Sequence, residues 1–397
     1  MHLAIVSPYP PSITGIGQYG FHVSRLLAQS GLFAHLTVLT GSSGGPPAGM
    51  PSSVSIQPAW RAEQLSASMS ILSQLHRIKP DLVWFNMGAS VFGRSPLVNL
   101  LGFFAPYMSR RMGYPTVVTL HELVELADLH SLNAPGGALA PYGARLLTGI
   151  GLQADVTCLT MQRYVDWLAI RKPGSRRVHI PIGAYHPPEL LPESNSPELL
   201  FFTTLAPFKG LETLLKVFPS LEKRHPGLRL TIAGAEHARF RGYSRDLRAQ
   251  YERMANIRWL GQVPEENVRE LFSSAQIVVL PYSASTGSSS VLYQAATWGR
   301  PAVVSDLPET RAVVKESGLE VTFFESGNAA SLEQSLSSQL DSAQSRRMQV
   351  EKNFAAIQRH RPEETCRAYL QAFNLALEVH RSQKRLTIPS RVSRELL

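Results

Sequence analysis

Two apolar runs, Ile277–Leu280 and Ala302–Val304, flank a loop of small residues and one short helical pattern, and this arrangement leaves the chain few folds to choose from. The loop runs from Ser283 to Ser290, and Val291–Trp298 then places apolar residues at helical spacing until Gly299 and Pro301 stop it. Strand, loop, helix and strand in immediate succession is the unit of a parallel α/β sheet. Thr286, Gly287, Ser288, Ser289 and Ser290 crowd the helix start. Unpaired backbone N–H groups and the helix dipole make such an end a site for a phosphate or carboxylate. Gln294 follows Ser290 by one turn and shares that mouth. A serine that simply caps the helix leaves the same pattern.

The unit recurs along the first half. Strand-like runs at Leu3–Val6, Leu36–Leu39, Leu82–Phe85, Thr116–Leu120, Val156–Leu159 and Val178–Ile180 alternate with helical patterns such as Leu65–His76 and Leu139–Leu152. Such alternation predicts a doubly wound sheet with helices on both faces. Gly15 and Gly17 lie between the first strand and a helix marked by Phe21, Val23, Leu26 and Leu27. They read as half of a dinucleotide fingerprint, a weak signal that a tight turn into the helix also produces. His121 follows the Thr116–Leu120 run, at the strand end where ligands gather in such sheets. A plain loop histidine sits in the same place.

Residues 186–197 hold four prolines and few apolar residues, and then the pattern restarts with runs at Leu199–Thr203, Leu228–Ala233, Ile257–Leu260 and Ile277–Leu280, and beyond them Glu320–Phe324. Helical patterns in this half cover Leu211–Leu221, Arg245–Met254, Val268–Phe272, Leu332–Leu340 and Arg346–Ile357. At 397 residues the chain exceeds one ordinary core. Two α/β halves joined by a linker imply a cleft, a common place for ligands. Lys209 stands just before a helix, where its charge opposes the dipole unless an anion lies there. Gly234 ends a strand, as a turn requires or as a flat ring lying on the backbone requires.

Charge narrows the partners. The formal net charge of +9 favours anions: nucleotides, a membrane surface or nucleic acid. The basic residues are dispersed except in the tail 381–397, and no basic stripe is interleaved with aromatics, which argues against nucleic acid. The two cysteines, Cys158 and Cys366, are far apart in apolar surroundings, pointing to a reducing compartment and away from a metal site. The first residues lack a basic and long apolar signal-peptide pattern. Leu97–Met108 is too short to span a membrane and is followed by Arg110 and Arg111; it reads as a core helix, with a membrane-resting face as the alternative.

The order of segments resembles the retaining glycosyltransferases of GT-B architecture, specifically glycosyltransferase family 4, from residue 1 to about residue 380. APFKGLETLLKVFPSL is similar to the family's lysine–glycine motif and IAGAEH to its strand-end glycine. NIRWLGQVPEENVRELFSSAQIVVLPY and GRPAVVSDLPETRAVV resemble the stretches before and after the donor loop. In the first half, GIGQYGFHVSRLLAQSG, TLHEL and HIPIGAY resemble the acceptor-side glycine loop, the strand-end histidine and the entry to the linker.

The resemblance implies two Rossmann-like domains facing each other across a cleft. Residues 1–185 would form the acceptor-side domain, 186–197 the linker and 198–360 the nucleotide-sugar domain. A helix over 361–380 would pack back toward the first domain, ahead of a basic tail at 381–397. It also implies sugar transfer from a nucleotide-diphosphate sugar with retention at the anomeric carbon, no cofactor and no metal, hence no metal-ligand cluster to find. His121 would approach the donor sugar and Lys209 its diphosphate. Gly287, Ser288, Ser289 and Ser290 would offer backbone N–H groups to sugar and phosphates, Thr204, Gly234, Thr286 and Gln294 would complete the donor site, and Gly15 and Gly17 would line the cleft. The acceptor would be a glycan, a lipid-linked or another glycoconjugate, and the location cytoplasmic, with contact at the inner membrane face left open.

The chain departs from the family where two glutamates are usual, eight positions apart: here stand Thr286 and Gln294. Glutamine keeps hydrogen bonding to ribose hydroxyls without the charge that strengthens it. Thr204 stands where an arginine is usual. These changes keep open a catalytically silent relative that binds a nucleotide sugar or a partner enzyme, and a hydrolase or epimerase of the same architecture.

Overall fold

The computed structural model describes residues 1–11, 14–41, 47, 49–126, 128, 137, 140–237, 239–285 and 287–387, the last four by backbone alone. Thr286 and most of the basic tail lie outside the described residues. Seven strands form the first sheet: β1 (His2–Val6), β2 (His35–Thr40), β3 (Val54–Pro58), β4 (Leu82–Met87), β5 (Thr116–Leu120), β6 (Val156–Leu159) and β7 (Arg177–His179). Six form the second: β8 (Glu198–Phe202), β9 (Arg229–Ala233), β10 (Ile257–Gly261), β11 (Ile277–Leu280), β12 (Ala302–Ser305) and β13 (Thr322–Phe324). Every pair in both sheets is parallel. The orders are β3-β2-β1-β4-β5-β6-β7 and β10-β9-β8-β11-β12-β13. Each sheet is therefore doubly wound, with its order reversing beside β1 and beside β8. In such sheets the ligand crevice opens outside the carboxyl ends of the strands at that switch point.

Helices cover both faces, so the strands read as nearly unbroken apolar runs. In β8, Leu199 and Phe201 face one core while Leu200 faces the other. In β11 the split is the same, Ile277 and Val279 against Val278 and Leu280. One of these two cores runs without a break from the first sheet through Ile182, Tyr185 and Leu191 to the inner face of the second.

The run Leu97–Met108 forms two helices, Pro96–Gly102 and Phe104–Arg111, instead of the single helix its composition suggests. Pro106 falls in the first turn of the second, where a missing N–H costs nothing. β3 had no counterpart among the expected strands, because at the sheet edge only Val54 is buried. Helix Pro362–Thr387 is longer than its apolar pattern, which ends at His380. Its buried Tyr369, Ala372, Phe373 and Ala376 recur at i, i+3, i+4 and i+7 and lie against the first sheet. Tyr369 Oη bonds Thr119 Oγ1 at 2.8 Å and Tyr19 Oη at 3.0 Å, and its ring lies 4.7 Å from that of Trp84. Among the described residues no helix is long and apolar enough to cross a membrane.

Candidate active site

The segment leaving β8 turns through the one-turn helix Pro207–Lys209 and enters helix Leu211–Arg224. Gly210 makes the turn at φ +69°, and a Cβ there would overlap the Pro281 carbonyl. That close approach brings Lys209 under the loop that leaves β11. Its Nζ lies 3.9 Å from the Tyr282 ring centroid and 5.6 Å from that of Phe208, a cation–π arrangement. No hydrogen bond or ion pair engages the ammonium among the described residues. Burial lowers its pKa to about 8, partly offset by the nearby Glu122 carboxylate. A half-buried ammonium without a partner among the described residues is an arrangement prepared for an anion.

Helix Ser290–Thr297 begins beside it. Ser289 takes the N-cap position in extended conformation but makes no side-chain capping bond. The hydroxyls of Tyr282 and Tyr185 instead engage Ser289 and Ser290, and Ser288 Oγ is buried beside Tyr293. Simple capping therefore does not account for the serine-rich loop, and the first N–H groups of the helix stay open to a ligand. Gln294 is buried one turn on.

On the opposite lobe one amide organises three strand ends. Asn86, fully buried near the end of β4, donates from Nδ2 to Ser7 Oγ and to the Ile16 carbonyl, both at 2.9 Å. With its nitrogen committed, its Oδ1 is what meets His121 Nε2, at 2.6 Å. The ring must donate, which fixes the Nε2–H tautomer and leaves Nδ1 as an acceptor. Burial pulls the His121 pKa down to about 3, so the imidazole stays neutral. Tyr19 meets the ring edge-on at 4.8 Å.

Gly15 opens helix Gly15–Gln29, and Gly17 N donates to the capping Thr14 Oγ1 at 2.9 Å. Reading these two as half a fingerprint passed over Gly20, which completes the G-x-G-x-x-G spacing. A Cβ on Gly20 would overlap Ser7 Oγ, so this third glycine lets the helix pack on β1. The space beside Gly15 is open.

The two lobes touch at these same loops. Glu122 and Gly287 form an antiparallel backbone bridge, and Glu122 Oε1 accepts from Ala89 N at 2.7 Å. Glu316 of the second lobe accepts from the backbone N–H of Gln162 and Arg163 at 2.9 and 3.0 Å, at the positive end of helix Gln162–Arg171. Arg163 adds a 3.1 Å ion pair to Glu309.

His121, Lys209 and the loop Gly287–Ser290 thus converge, through Glu122 and Tyr282, at the mouth between the lobes. Thr204 lies half-buried on the segment after β8. Gly234 stands apart in kind: at φ +136° its missing Cβ leaves room for the Thr203 carbonyl, so chain packing explains the glycine. Sequence reading missed Asn86, which no spacing marks, and Glu122, whose place beside His121 was visible. It also foresaw no metal-ligand cluster, yet His22, His186 and Glu265 bring ligand atoms within 4.8 Å of one another.

Residues 186–355 match the family model described as glycosyl transferases group 1. An uncharacterised glycosyltransferase YqgM of Bacillus subtilis is 27% identical over 183 residues, covering 45% of this chain and 49% of the relative. The phosphatidyl-myo-inositol mannosyltransferase of Mycobacterium tuberculosis is 32% identical over 111 residues, 28% of each chain. The matched region thus spans about half the length of the first relative and just over a quarter of the second. Similarity of fold reaches further: Anabaena HepE, solved with UDP and glucose, superposes with a TM-score of 0.69 at 15% identity over 94% of this chain and 99% of its own. WaaG, a glycosyltransferase involved in lipopolysaccharide biosynthesis, does so at 0.66 and 13% over 94% and 99%. The chain has the GT-B fold, and its residues 186–355 match the glycosyl transferases group 1 family model.

Proposed function

We propose that this chain is a retaining, metal-independent glycosyltransferase that moves a sugar from a nucleotide-diphosphate sugar to a glycan, a lipid-linked or another glycoconjugate acceptor. The observation that carries the reading is the half-buried Lys209 ammonium, held against the Tyr282 ring without an ion-pair partner among the described residues and next to an uncapped helix start. Departure of a nucleoside diphosphate concentrates negative charge on its leaving oxygens. A preorganised ammonium and helix N–H groups stabilise that charge.

In this reading Gly287, Ser288, Ser289 and Ser290 hold the phosphates and sugar, Gln294 meets the ribose, and Thr204, Gly234 and Thr286 complete the donor side. His121, neutral and oriented by Asn86, hydrogen-bonds the donor sugar and exchanges no proton. Gly15, open beside its missing Cβ, lets backbone approach the donor with Gly17 behind it. The 1–185 domain takes the acceptor and the 198–360 domain the donor, with 186–197 as the linker. HepE was solved with UDP-glucose, which supports a nucleotide sugar as ligand. The mannosyltransferase relatives, named for phosphatidyl-myo-inositol, favour a lipid-linked acceptor at the inner membrane face. Exposed Leu97, Tyr107 and Met112 beside Arg111 offer a surface for that contact.

A catalytically silent relative is the second reading, favoured by Gln294 where the family carries a glutamate. A thermal-shift screen of nucleoside diphosphate sugars followed by turnover assays separates the two, since a ligand that binds the native state raises stability by mass action. Binding with transfer to an acceptor supports the transferase, whereas donor consumption without an acceptor selects a hydrolase or epimerase. Binding without turnover selects a silent relative that holds a nucleotide sugar, and failure of every donor to bind overturns the enzyme and leaves only a relative that binds a partner enzyme.

A further inference from the structure

We propose that His22, His186 and Glu265 form a binding site for a divalent transition-metal ion of the zinc class, which clips the two lobes and their linker together. The three residues come from three parts of the chain: helix Gly15–Gln29, the first position after Tyr185, and the one-turn helix Glu265–Asn267 that follows β10. His186 Nε2 lies 2.8 Å and His22 Nε2 3.1 Å from the same Glu265 oxygen, and all three ligand atoms lie within 4.8 Å of one another. Ligands bonded to one zinc at about 2.0–2.2 Å stand roughly 3–3.5 Å apart, so small ring movements admit an ion.

A second observation points the same way. His22 is 1% exposed, and among the described residues its Nε2 has no hydrogen-bond partner although a Glu265 oxygen lies 3.1 Å away. A buried imidazole nitrogen left this way is costly, and a metal satisfies it. The rings are held from behind: His22 stacks on Tyr185 at 4.4 Å and 15°, and His186 lies 5.4 Å from the Trp298 ring. Two imidazoles and one carboxylate, two nitrogens and an oxygen, suit zinc and its neighbours, with open positions left for water.

Arg25 is the opposing group. Its Nη2 lies 3.4 Å from His22 Nδ1, which must carry the proton once Nε2 binds a metal, so the guanidinium must swing away toward solvent. The ion is structural and regulatory in this scheme: lobe opening requires Glu265 to leave it. The proposal stands apart from the transfer reaction, which the proposed function reads as metal-independent.

The test is calorimetric titration of the full chain with zinc chloride, with magnesium chloride as the hard-cation control. His22→Ala removes a stacked, buried ring and endangers folding, so the variants are Glu265→Gln and His186→Gln. One equivalent of zinc should saturate the native chain and raise its melting temperature. Each variant should lose about tenfold or more in zinc affinity, and magnesium should give no binding. No saturable zinc binding by the native chain, or equal affinity in both variants, overturns the site. Neither readout depends on glycosyl transfer, so this result stands or falls independently of the proposed activity.

Discussion

The carbonyl oxygen of His121 occupies the space in which a side chain on Gly287 would begin, so the two lobes close on each other only because residue 287 is glycine. The antiparallel bridge between Glu122 and Gly287 depends on the same approach. Gly287→Ala should therefore prop the lobes apart without damaging either. Opening relieves the overlap, so the melting temperature should move little while kcat/KM falls about 100-fold, the scale of an ångström's misplacement. Steady-state kinetics alongside thermal unfolding checks this; a large loss of stability would mean the closed contact is part of the fold.

Lys209 links pH to both binding and stability. Burial lowers its pKa from 10.5 to about 8. Below about pH 8 the lysine is charged both folded and unfolded, and the burial penalty is fully present. Between about 8 and 10.5 the unfolded chain binds more protons than the folded one, so this group's contribution to stability rises with pH. Binding follows the opposite course. If the ammonium holds the diphosphate, donor affinity should be flat below about pH 8 and then weaken by up to about tenfold per pH unit. Lys209→Ala should lose donor binding while keeping its fold. Titration calorimetry across the range reads both effects, and unchanged affinity in the variant removes Lys209 from the site.

Asn86 ties together Ser7, Ile16 and His121. Asn86→Ala leaves these buried groups short of partners, at a cost of about 1–3 kcal/mol. The urea unfolding midpoint should fall accordingly. Turnover should fall as well, because the His121 ring is no longer held in one tautomer.

Two glycines of one motif should separate cleanly. A Cβ on Gly20 would overlap Ser7 Oγ and stand 3.0 Å from Asn86 Nδ2, whereas one on Gly15 meets nothing within 4 Å. Gly20→Ala should destabilise by about 1–3 kcal/mol, and Gly15→Ala should stay within about 0.5 kcal/mol of the native chain. If Gly15 lets the backbone approach a ligand, its alanine variant should still weaken donor binding. Denaturant titrations and donor affinities on both variants read the contrast.

The strands and helices were largely legible in the sequence because they follow from local periodicity. The apolar runs at Ile277–Leu280 and Ala302–Val304 are buried on both faces, which is why they are unbroken. β3, half-exposed at its edge, carries no such mark. Lys209 and the loop Gly287–Ser290 stood out in the sequence too, since a cation or a serine cluster at a helix start is a local anomaly, and the structure brings them together through Tyr282. Gly20 stood at the right spacing and was passed over. Sequence alone determined two doubly wound halves and the order of strand, loop and helix that places Lys209 and the serines at helix starts. Only the tertiary structure decided that Asn86 orients His121, that Glu122 meets Gly287, and that His22 and His186 share Glu265. A sequence reports how each residue relates to its near neighbours along the chain, whereas these contacts join loops whose meeting depends on the strand order of two sheets and on how the lobes close.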